Sequence, residues 1–171
     1  GVNGFVGQHL FNTLLQNKNI RLIPFQRDFF ENESKMDDFV QDCDVIVHLA
    51  GLNRANDEEV IFNVNINITS SIISSLKRTN SKPHIIFASS TQENLNNIYG
   101  ESKKKARLSL KDWSLINNSI FTGLIIPNVF GSFGAPFYNS FISTFSHQLI
   151  NNETPVIIND SEVNLIYIDE L

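Results

Sequence analysis

Hydrophobic and polar positions along the chain follow two different periods. Short runs rich in β-branched and aromatic residues predict strands, whereas segments with an apolar residue every three or four positions predict helices. The predicted strands are residues 20–25, 44–50, 83–88 and 119–126. The predicted helices are residues 5–15, 36–40, 57–78 and 99–111. The runs at 44–50 and 83–88 are expected to be buried strands, the first on both faces, and the polar residues 27–37 are expected to form a loop.

This alternation of strands and helices is typical of a doubly wound parallel sheet with right-handed crossovers, so the predicted fold class is α/β. Beyond Pro127 the pattern loosens, and residues 127–171 are expected to be part of a substrate-facing subregion within a single domain, residues 1–171. That subregion contains a predicted loop, a helix and two short strands, at residues 131–138, 139–150, 156–158 and 163–168.

Composition narrows the class of protein. A chain of 171 residues with 42% hydrophobic and 18% charged residues has the balance of one globular domain. Its net charge of -5 disfavours a nucleic-acid partner. The single cysteine, Cys43, excludes an intramolecular disulfide and suits a reducing cytosol, and no stretch is apolar enough to predict a membrane span. We therefore expect a cytoplasmic protein.

Three glycines, Gly1, Gly4 and Gly7, lead directly into the first predicted helix. Glycines let the backbone turn tightly and bring helix N–H groups close to a pyrophosphate, which the positive end of the helix dipole attracts. The spacing is G-x-x-G-x-x-G and the strand that normally precedes such a turn is not seen, so a plain glycine-rich turn is the alternative. We expect a dinucleotide site on a fragment whose first strand is missing.

Polar residues follow each predicted strand, at the edge of a parallel sheet where ligands bind. Among them, Ser90 comes after the strand at 83–88, and Tyr99 and Lys103 follow at the start of the next helix. The i, i+4 spacing places Tyr99 and Lys103 on one helix face. An ammonium favours the phenolate, so the pair could exchange a proton with a substrate oxygen to which Ser90 also hydrogen-bonds. A surface Tyr and Lys on one helix face is the alternative.

Together these residues resemble the extended short-chain dehydrogenase/reductase family, whose members act on nucleotide sugars. The resemblance rests on the glycines, the run 48–51, Asn65, the serines 89–90, the run 99–103 and the run 127–131. It implies a Rossmann fold and a bound nicotinamide, with Tyr99 as proton donor or acceptor, Lys103 on the ribose, and Ser90 on the reacting oxygen. The cofactor-binding residues that it implies are Gly1, Gly4, Phe5, Val6, Gly7, Arg27, Leu49, Ala50, Gly51, Asn65, Tyr99 and Lys103.

A narrower likeness is to the reductases of capsule and O-antigen synthesis that act on a UDP-2-acetamido-2,6-dideoxy-hexos-4-ulose. It rests on residues 51–54, 128–131, 136–140, 144–147 and 158–160. The substrate-binding candidates are Asn53, Arg54, Thr91, Asn128, Asn139, Ser140 and His147. Ala55, Phe133, Phe137 and Ser146 depart from the pattern of that group, which leaves the sugar open. Members of the group also carry a cupin domain, which these residues do not include.

Charge at the end of the strand at 20–25 bears on the choice of cofactor. An acid there binds the adenosine ribose of NAD, whereas an arginine pairs with the 2′-phosphate of NADP. Arg27 favours NADPH, and Asp28 keeps NAD as the alternative. No residues have the spacing of a metal site, and His48 is expected to be a packed, hydrogen-bonded histidine.

The predicted function is reduction of the C4 keto group of a UDP-linked 6-deoxy amino sugar. One alternative is an NAD-dependent 4-epimerase or 4,6-dehydratase, for which Glu93 is the available acid. Another is a non-catalytic dinucleotide-binding sensor or scaffold, although such a module has no need of Ser90, Tyr99 and Lys103 together. We expect the chain to be truncated at both ends and the full-length protein to be a homodimer.

Overall fold

The computed structural model describes residues 1–157 and 159–171 and divides them into two compact units, residues 1–125 and 126–171. The first unit contains α1 (Phe5–Leu15), a 3₁₀ turn (Arg27–Glu31), α2 (Glu33–Gln41), β1 (Val45–His48), α3 (Glu58–Thr79), β2 (His84–Ser90), a 3₁₀ turn (Thr91–Asn94), α4 (Ile98–Asn117) and β3 (Phe121–Ile126). The second contains β4 (Asn128–Phe130), α5 (Phe141–Ile150), β5 (Leu165–Tyr167) and a 3₁₀ turn (Ile168–Glu170).

The sheet of the first unit has the strand order β1-β2-β3. β1 and β2 run parallel, with Val45 opposite His84 and His48 opposite Phe87. α3 packs against α2 on one side and α4 on the other, and the core lies between these helices and the sheet. Its most deeply buried side chains are Val40, Leu76, Ile85, Phe87 and Leu110. The predicted α/β class is confirmed.

Two predicted strands are not formed. Residues 20–25 have no regular secondary structure, because a strand needs a hydrogen-bonding neighbour and none of the described strands pairs with them. The segment is anchored at Phe25, whose ring lies 4.7 Å from that of Phe30 and 5.0 Å from that of Phe39. Val156 and Ile157 also lie outside any strand, and Ile158 is outside the described residues.

Other boundaries differ from the prediction for local reasons. The expected loop at 27–37 forms a 3₁₀ turn and the start of α2, because the Asn32 side chain accepts a hydrogen bond from the Lys35 N–H and caps that helix. β1 is not buried on both faces, since Ile46 and His48 on one face are buried whereas Val45 on the other face is 47% exposed. α4 continues past residue 111 to Asn117, where Asn118 ends it with a φ of 52°.

Asparagines make many of the helix ends. The side chains of Asn32 and Asn97 cap the starts of α2 and α4, and Asn80 and Asn118 adopt the left-handed conformation that ends α3 and α4. Asparagine tolerates this conformation better than other residues that have a side chain. Four asparagines of the first unit are therefore explained by their positions at the ends of helices.

Leu110 tests the core. It is fully buried on α4, so Leu110→Ala should leave a cavity and lower the free energy of unfolding by about 2–5 kcal/mol. Leu108 lies on the same helix and is 40% exposed, so Leu108→Ala should change it by less than about 1 kcal/mol. Urea denaturation of the two variants measures the difference, and equal losses would contradict the assignment of the core.

Candidate active site

The glycine turn before α1 provides no side-chain cap for the first N–H groups of that helix. Gly4 caps this 11-residue helix without a side-chain hydrogen bond, and the first turn contains no acidic residue. A Cβ on Gly7 would lie 2.0 Å from the Gly1 carbonyl oxygen, so the turn requires glycine at this position. The N–H groups of Phe5 and Val6 belong to the first turn, whose N–H groups have no acceptor within the helix. The turn therefore presents N–H donors and the positive end of a helix dipole.

The same turn lies against the carboxyl end of β1. A Cβ on Gly1 would be 2.7 Å from the Leu49 Cβ and 2.9 Å from the Ala50 nitrogen. This edge of a parallel sheet is where α/β proteins bind ligands. Four of the predicted cofactor residues, Gly1, Gly7, Leu49 and Ala50, are thus brought together, and the glycine cradle fits a dinucleotide pyrophosphate.

Asn65, on α3, forms hydrogen bonds with the turn after β1 and with α4. Its Oδ1 accepts a hydrogen bond from the Leu52 N–H at 2.7 Å, and its Nδ2 donates to the Leu52 carbonyl at 2.9 Å and to the Ser102 Oγ at 2.9 Å. Ser102 in turn donates to the Tyr99 carbonyl at 2.7 Å. The amide hydrogens of Asn65 are both used within the protein. Its role in the structure is to hold the Gly51–Leu52 turn and the first turn of α4, and direct contact with a cofactor stays a prediction.

Lys103 is a buried cation, with only 4% of its surface exposed. Its Nζ lies 4.4 Å from the centre of the Phe87 ring and 3.6 Å from the position of a Cβ on Gly51. Burial lowers the pKa of Lys103 to about 8, against an opposing effect of the Glu93 carboxylate. Lys103 thus remains mostly protonated at pH 7 and lies beside the carboxyl end of β1.

Ser90 and Tyr99 flank the connection between β2 and α4. Ser90 ends β2, and its Oγ accepts a hydrogen bond from the Gln92 N–H at 3.2 Å. The exposed Thr91 follows it. Tyr99 is partly buried in the first turn of α4, one turn before Lys103. A hydroxyl, a phenol and an ammonium therefore come from adjoining elements, and a phenol is one of the groups that can transfer a proton to a carbonyl oxygen.

His48 is a packed histidine, as expected. Its ring is 4% exposed and lies 5.1 Å from that of Phe87, and its Nε2 is 3.5 Å from the Thr69 Oγ1. Burial and the charge of Lys103 lower the pKa of His48 to about 3. The imidazole is thus neutral at physiological pH.

No group of acids, histidines and cysteines that could hold a metal occurs among residues 1–157 and 159–171.

Arg27 and Asp28 differ in their surroundings. Asp28 is bound by the Lys35 ammonium at 2.6 Å, whereas Arg27 is exposed and has no hydrogen-bond or ion-pair partner within the described part of the chain. Asn53 and Arg54 follow the turn that Asn65 holds, the first partly buried and the second exposed.

The remaining substrate candidates belong to the second unit. Asn128 begins β4, and Asn139 is exposed just before α5. Ser140 caps α5 by accepting a hydrogen bond from the Ser143 N–H at 3.4 Å. The exposed His147 lies on α5, with its ring 5.5 Å from that of Phe137. Phe137 has a φ of 57°, an uncommon conformation for an aromatic residue.

The sequence analysis did not predict the ion pair between Glu93 and Arg107. The Arg107 guanidinium donates to both carboxylate oxygens of Glu93, at 2.8 Å and 2.7 Å, and the Ser89 hydroxyl donates to the same carboxylate. Burial opposes ionisation of Glu93, but the hydrogen bonds from Arg107 and Ser89 outweigh it and lower the pKa. Arg107 lies four residues after Lys103, and that spacing is the signal that could have identified it.

A family model for the NAD dependent epimerase/dehydratase family matches residues 1–171. The chain belongs to this family. Membership confirms the resemblance on which the prediction of a Rossmann fold rested. None of the described helices is long and apolar enough to cross a membrane.

Individual relatives differ in their activities. The chain is 32% identical to a UDP-2-acetamido-2,6-beta-L-arabino-hexul-4-ose reductase from Pseudomonas aeruginosa, covering 100% of this chain and 46% of the relative. The capsular polysaccharide assembling protein CapF from Staphylococcus aureus is similar at 28% identity with a TM-score of 0.78, over 99% of this chain and 44% of that one. The chain thus spans less than half the length of both.

A UDP-glucose 4-epimerase from Thermotoga maritima, solved with UDP-glucose, has the same fold with a TM-score of 0.84 at 19% identity. The match covers 99% of this chain and 68% of the epimerase. This likeness shows the Rossmann-like fold, which reductases and epimerases of the family share.

Burial of Lys103 should weaken the fold at neutral pH. Below pH 8 its charge is buried in the folded state, and between pH 8 and 10.5 the unfolded state binds more protons, so this group makes stability rise with pH. Lys103→Met should therefore raise the free energy of unfolding at pH 7, by at most about 3 kcal/mol, and remove that part of the rise. Urea denaturation of the cofactor-free protein at pH 7 and pH 10 measures both effects.

Lys104 supplies the matched control for this prediction, because it is exposed on the same helix. Lys104→Met should leave both the stability at pH 7 and its pH dependence unchanged. A Lys103→Met protein that loses stability at pH 7 would contradict the buried charge.

Proposed function

We propose that this chain is the nicotinamide-binding part of a reductase acting on the C4 keto group of a UDP-linked 6-deoxy amino sugar. The observation that carries the proposal is the buried Lys103 ammonium one helical turn after Tyr99, on the helix that follows Ser90. The relative from Pseudomonas aeruginosa, named as a UDP-sugar 4-ulose reductase, supports the substrate class.

Different residues of the first unit have different roles in the proposed reaction. The chemistry supplied by a bound nicotinamide is a hydride for the C4 carbon. Tyr99 protonates the carbonyl oxygen as it becomes a hydroxyl, and Ser90 hydrogen-bonds the same oxygen to orient it. Lys103 favours the phenolate that Tyr99 leaves behind and hydrogen-bonds the cofactor ribose. Gly1, Gly4 and Gly7, with the first turn of α1, hold the pyrophosphate.

Substrate binding falls to polar residues that follow the strands. Asn53, Arg54 and Thr91 follow β1 and β2 and would bind the sugar or its diphosphate. In the second unit, the residues proposed to bind substrate are Asn128, Asn139, Ser140 and His147. The N–H groups at the start of α5, which Ser140 caps, are a further source of hydrogen bonds to an anion.

NADPH is the proposed cofactor. The Asp28 carboxylate, the group that would bind a ribose in an NAD enzyme, is paired with Lys35, whereas Arg27 remains available to a 2′-phosphate. NAD is the alternative, and a solved relative from Thermus thermophilus, a UDP-glucose 4-epimerase, holds NAD.

The rival activities within the family are 4-epimerisation and 4,6-dehydration. A dehydratase needs a free acid next to the catalytic serine, but the Glu93 carboxylate is bound by Arg107 and Ser89. That arrangement disfavours dehydration. The fold shared with 4-epimerases keeps epimerisation as the second candidate, which predicts protein purified with bound NAD and no net oxidation of added NADPH.

We also infer that the intact protein is a cytoplasmic homodimer that serves capsule or O-antigen synthesis, paired through α3 and α4. Apolar side chains exposed on α4 support this pairing, notably Leu115 at 67% and Ile116 at 80%. Sedimentation of the intact protein tests it, and a monomer at micromolar concentration would refute it.

Tyr99→Phe tests the proton donor. Removing the hydroxyl should lower kcat for a UDP-linked 4-keto sugar by about a thousandfold, because proton transfer to the oxygen is lost. NADPH binding, measured by fluorescence titration, should change little. Tyr167→Phe is the matched control, since Tyr167 lies in β5 and its ring contact with Phe130 does not need the hydroxyl. Full activity of Tyr99→Phe would refute the mechanism.

Arg27→Ala tests the cofactor. Loss of a charged hydrogen bond to the 2′-phosphate should raise the Kd for NADPH about tenfold and leave the Kd for NADH within about twofold. Lys82→Ala is the control, because this exposed lysine precedes β2 at the opposite, amino end of the sheet. Tighter binding of NADH than of NADPH by the unsubstituted protein would contradict the assignment.

A further inference from the structure

Glu93 and Arg107 form a closed ion pair that the proposed reaction does not use. Arg107 donates from Nε to Oε1 at 2.8 Å and to Oε2 at 3.1 Å, and from Nη2 to Oε2 at 2.7 Å. The Glu93 side chain is 4% exposed and that of Arg107 is 23% exposed. Two-point pairing of this kind fixes both distance and orientation. Together with the Ser89 hydroxyl, it ties the segment after β2 to α4.

The pair is placed to fix the reacting groups relative to each other. Glu93 lies in the 3₁₀ turn that begins directly after Ser90, and Arg107 lies one turn beyond Lys103 on α4. A second attachment precedes Lys103, where a Cβ on Gly100 would lie 2.0 Å from the Gln92 carbonyl oxygen. The segment that carries Ser90 is therefore held to α4 on both sides of Lys103.

Glu93 also supplies the negative charge near Lys103. On β1 the group that Lys103 acts on is the neutral His48, and on α3 the Asn65 amide lies beside the same Gly51 position as the Lys103 Nζ. α4 itself adds Tyr99 and the cations Lys104 and Arg107, both of which act on Glu93. Within the described residues, Glu93 is the anion whose field raises the pKa of Lys103, against the larger effect of burial.

We propose that Glu93 and Arg107 are positioning residues, whose ion pair holds the segment that carries Ser90 in register with Tyr99 and Lys103 on α4. The proposal rests on the proposed function for its catalytic meaning. Because Glu93 is the anion that acts on Lys103, the titration of this lysine reports on the pair without any substrate.

The two partners should have opposite effects on Lys103. Glu93→Gln keeps the shape but removes the anion, so the pKa of Lys103 should fall by about one unit. Arg107→Met removes a cation and leaves the Glu93 carboxylate without its ion-pair partner, although Lys104 still acts on it, so the pKa of Lys103 should rise. NMR titration of the intact protein labelled with [ε-¹³C]lysine measures both shifts. Glu101→Gln, an exposed acid two residues before Lys103, is the matched control and should leave the titration unchanged.

Turnover provides the second measurement. Both variants should lower kcat about tenfold at pH 7, because each loosens the attachment of the Ser90 segment. The alkaline limb of the kcat profile should move to lower pH in Glu93→Gln and to higher pH in Arg107→Met. A merely structural pair would lower kcat without moving the limb in opposite directions. Arg107→Lys should restore most of the Lys103 titration and part of kcat.

The outcomes separate the two proposals. An unchanged Lys103 pKa in Glu93→Gln, or shifts of the same sign in Glu93→Gln and Arg107→Met, would overturn the inference. A protein whose lysines titrate as expected but that reduces no 4-keto sugar nucleotide would refute the proposed function and leave the coupling supported. Should Glu93→Gln fail to fold, the contrast between Arg107→Met and Arg107→Lys decides, and equal titrations in those two variants would overturn the inference.

Discussion

The structure of the site depends on keeping one ammonium group out of water. Lys103 has lost nearly all of its hydration, and a buried charge without compensation destabilises a fold. Compensation comes from weak sources, the Phe87 ring at 4.4 Å from the Lys103 Nζ and the field of Glu93. Because neither of them is a direct ion pair, the ammonium remains free to bind a ligand. A lysine in a direct ion pair would stabilise the fold more, but its ammonium would not be available to a ligand.

Around this group, hydrogen bonds from polar side chains fix the relative positions of elements that the hydrophobic core alone does not fix. Asn65 joins α3 to the turn after β1 and to Ser102 on α4, and Glu93 joins the turn after β2 to Arg107. Apolar packing is non-directional, so the core fixes which helices meet but not the register at which they meet. Hydrogen bonds with defined geometry fix that register near the reacting groups.

Features with a local signal could be predicted from the sequence. The period of α3, the run of β2 and the i, i+4 spacing of Tyr99 and Lys103 are all local, and the structure has these elements nearly where expected. The prediction of a strand at residues 20–25 was wrong because strand formation depends on a partner elsewhere in the sheet. The bond between Glu93 and Arg107 was missed because it joins a loop to a helix 14 residues away. The roles of the site residues themselves stay predictions.

The pairing of Asp28 with Lys35 has an evolutionary consequence. Both side chains are about half exposed, at 48% and 51%, and an ion pair of this kind contributes at most about 1 kcal/mol to stability. A substitution at Lys35 would release the carboxylate beside Arg27 at almost no expense to the fold. Under the proposed function, preference between the two nicotinamide cofactors can therefore drift through surface mutations that leave the buried residues of the first unit unchanged.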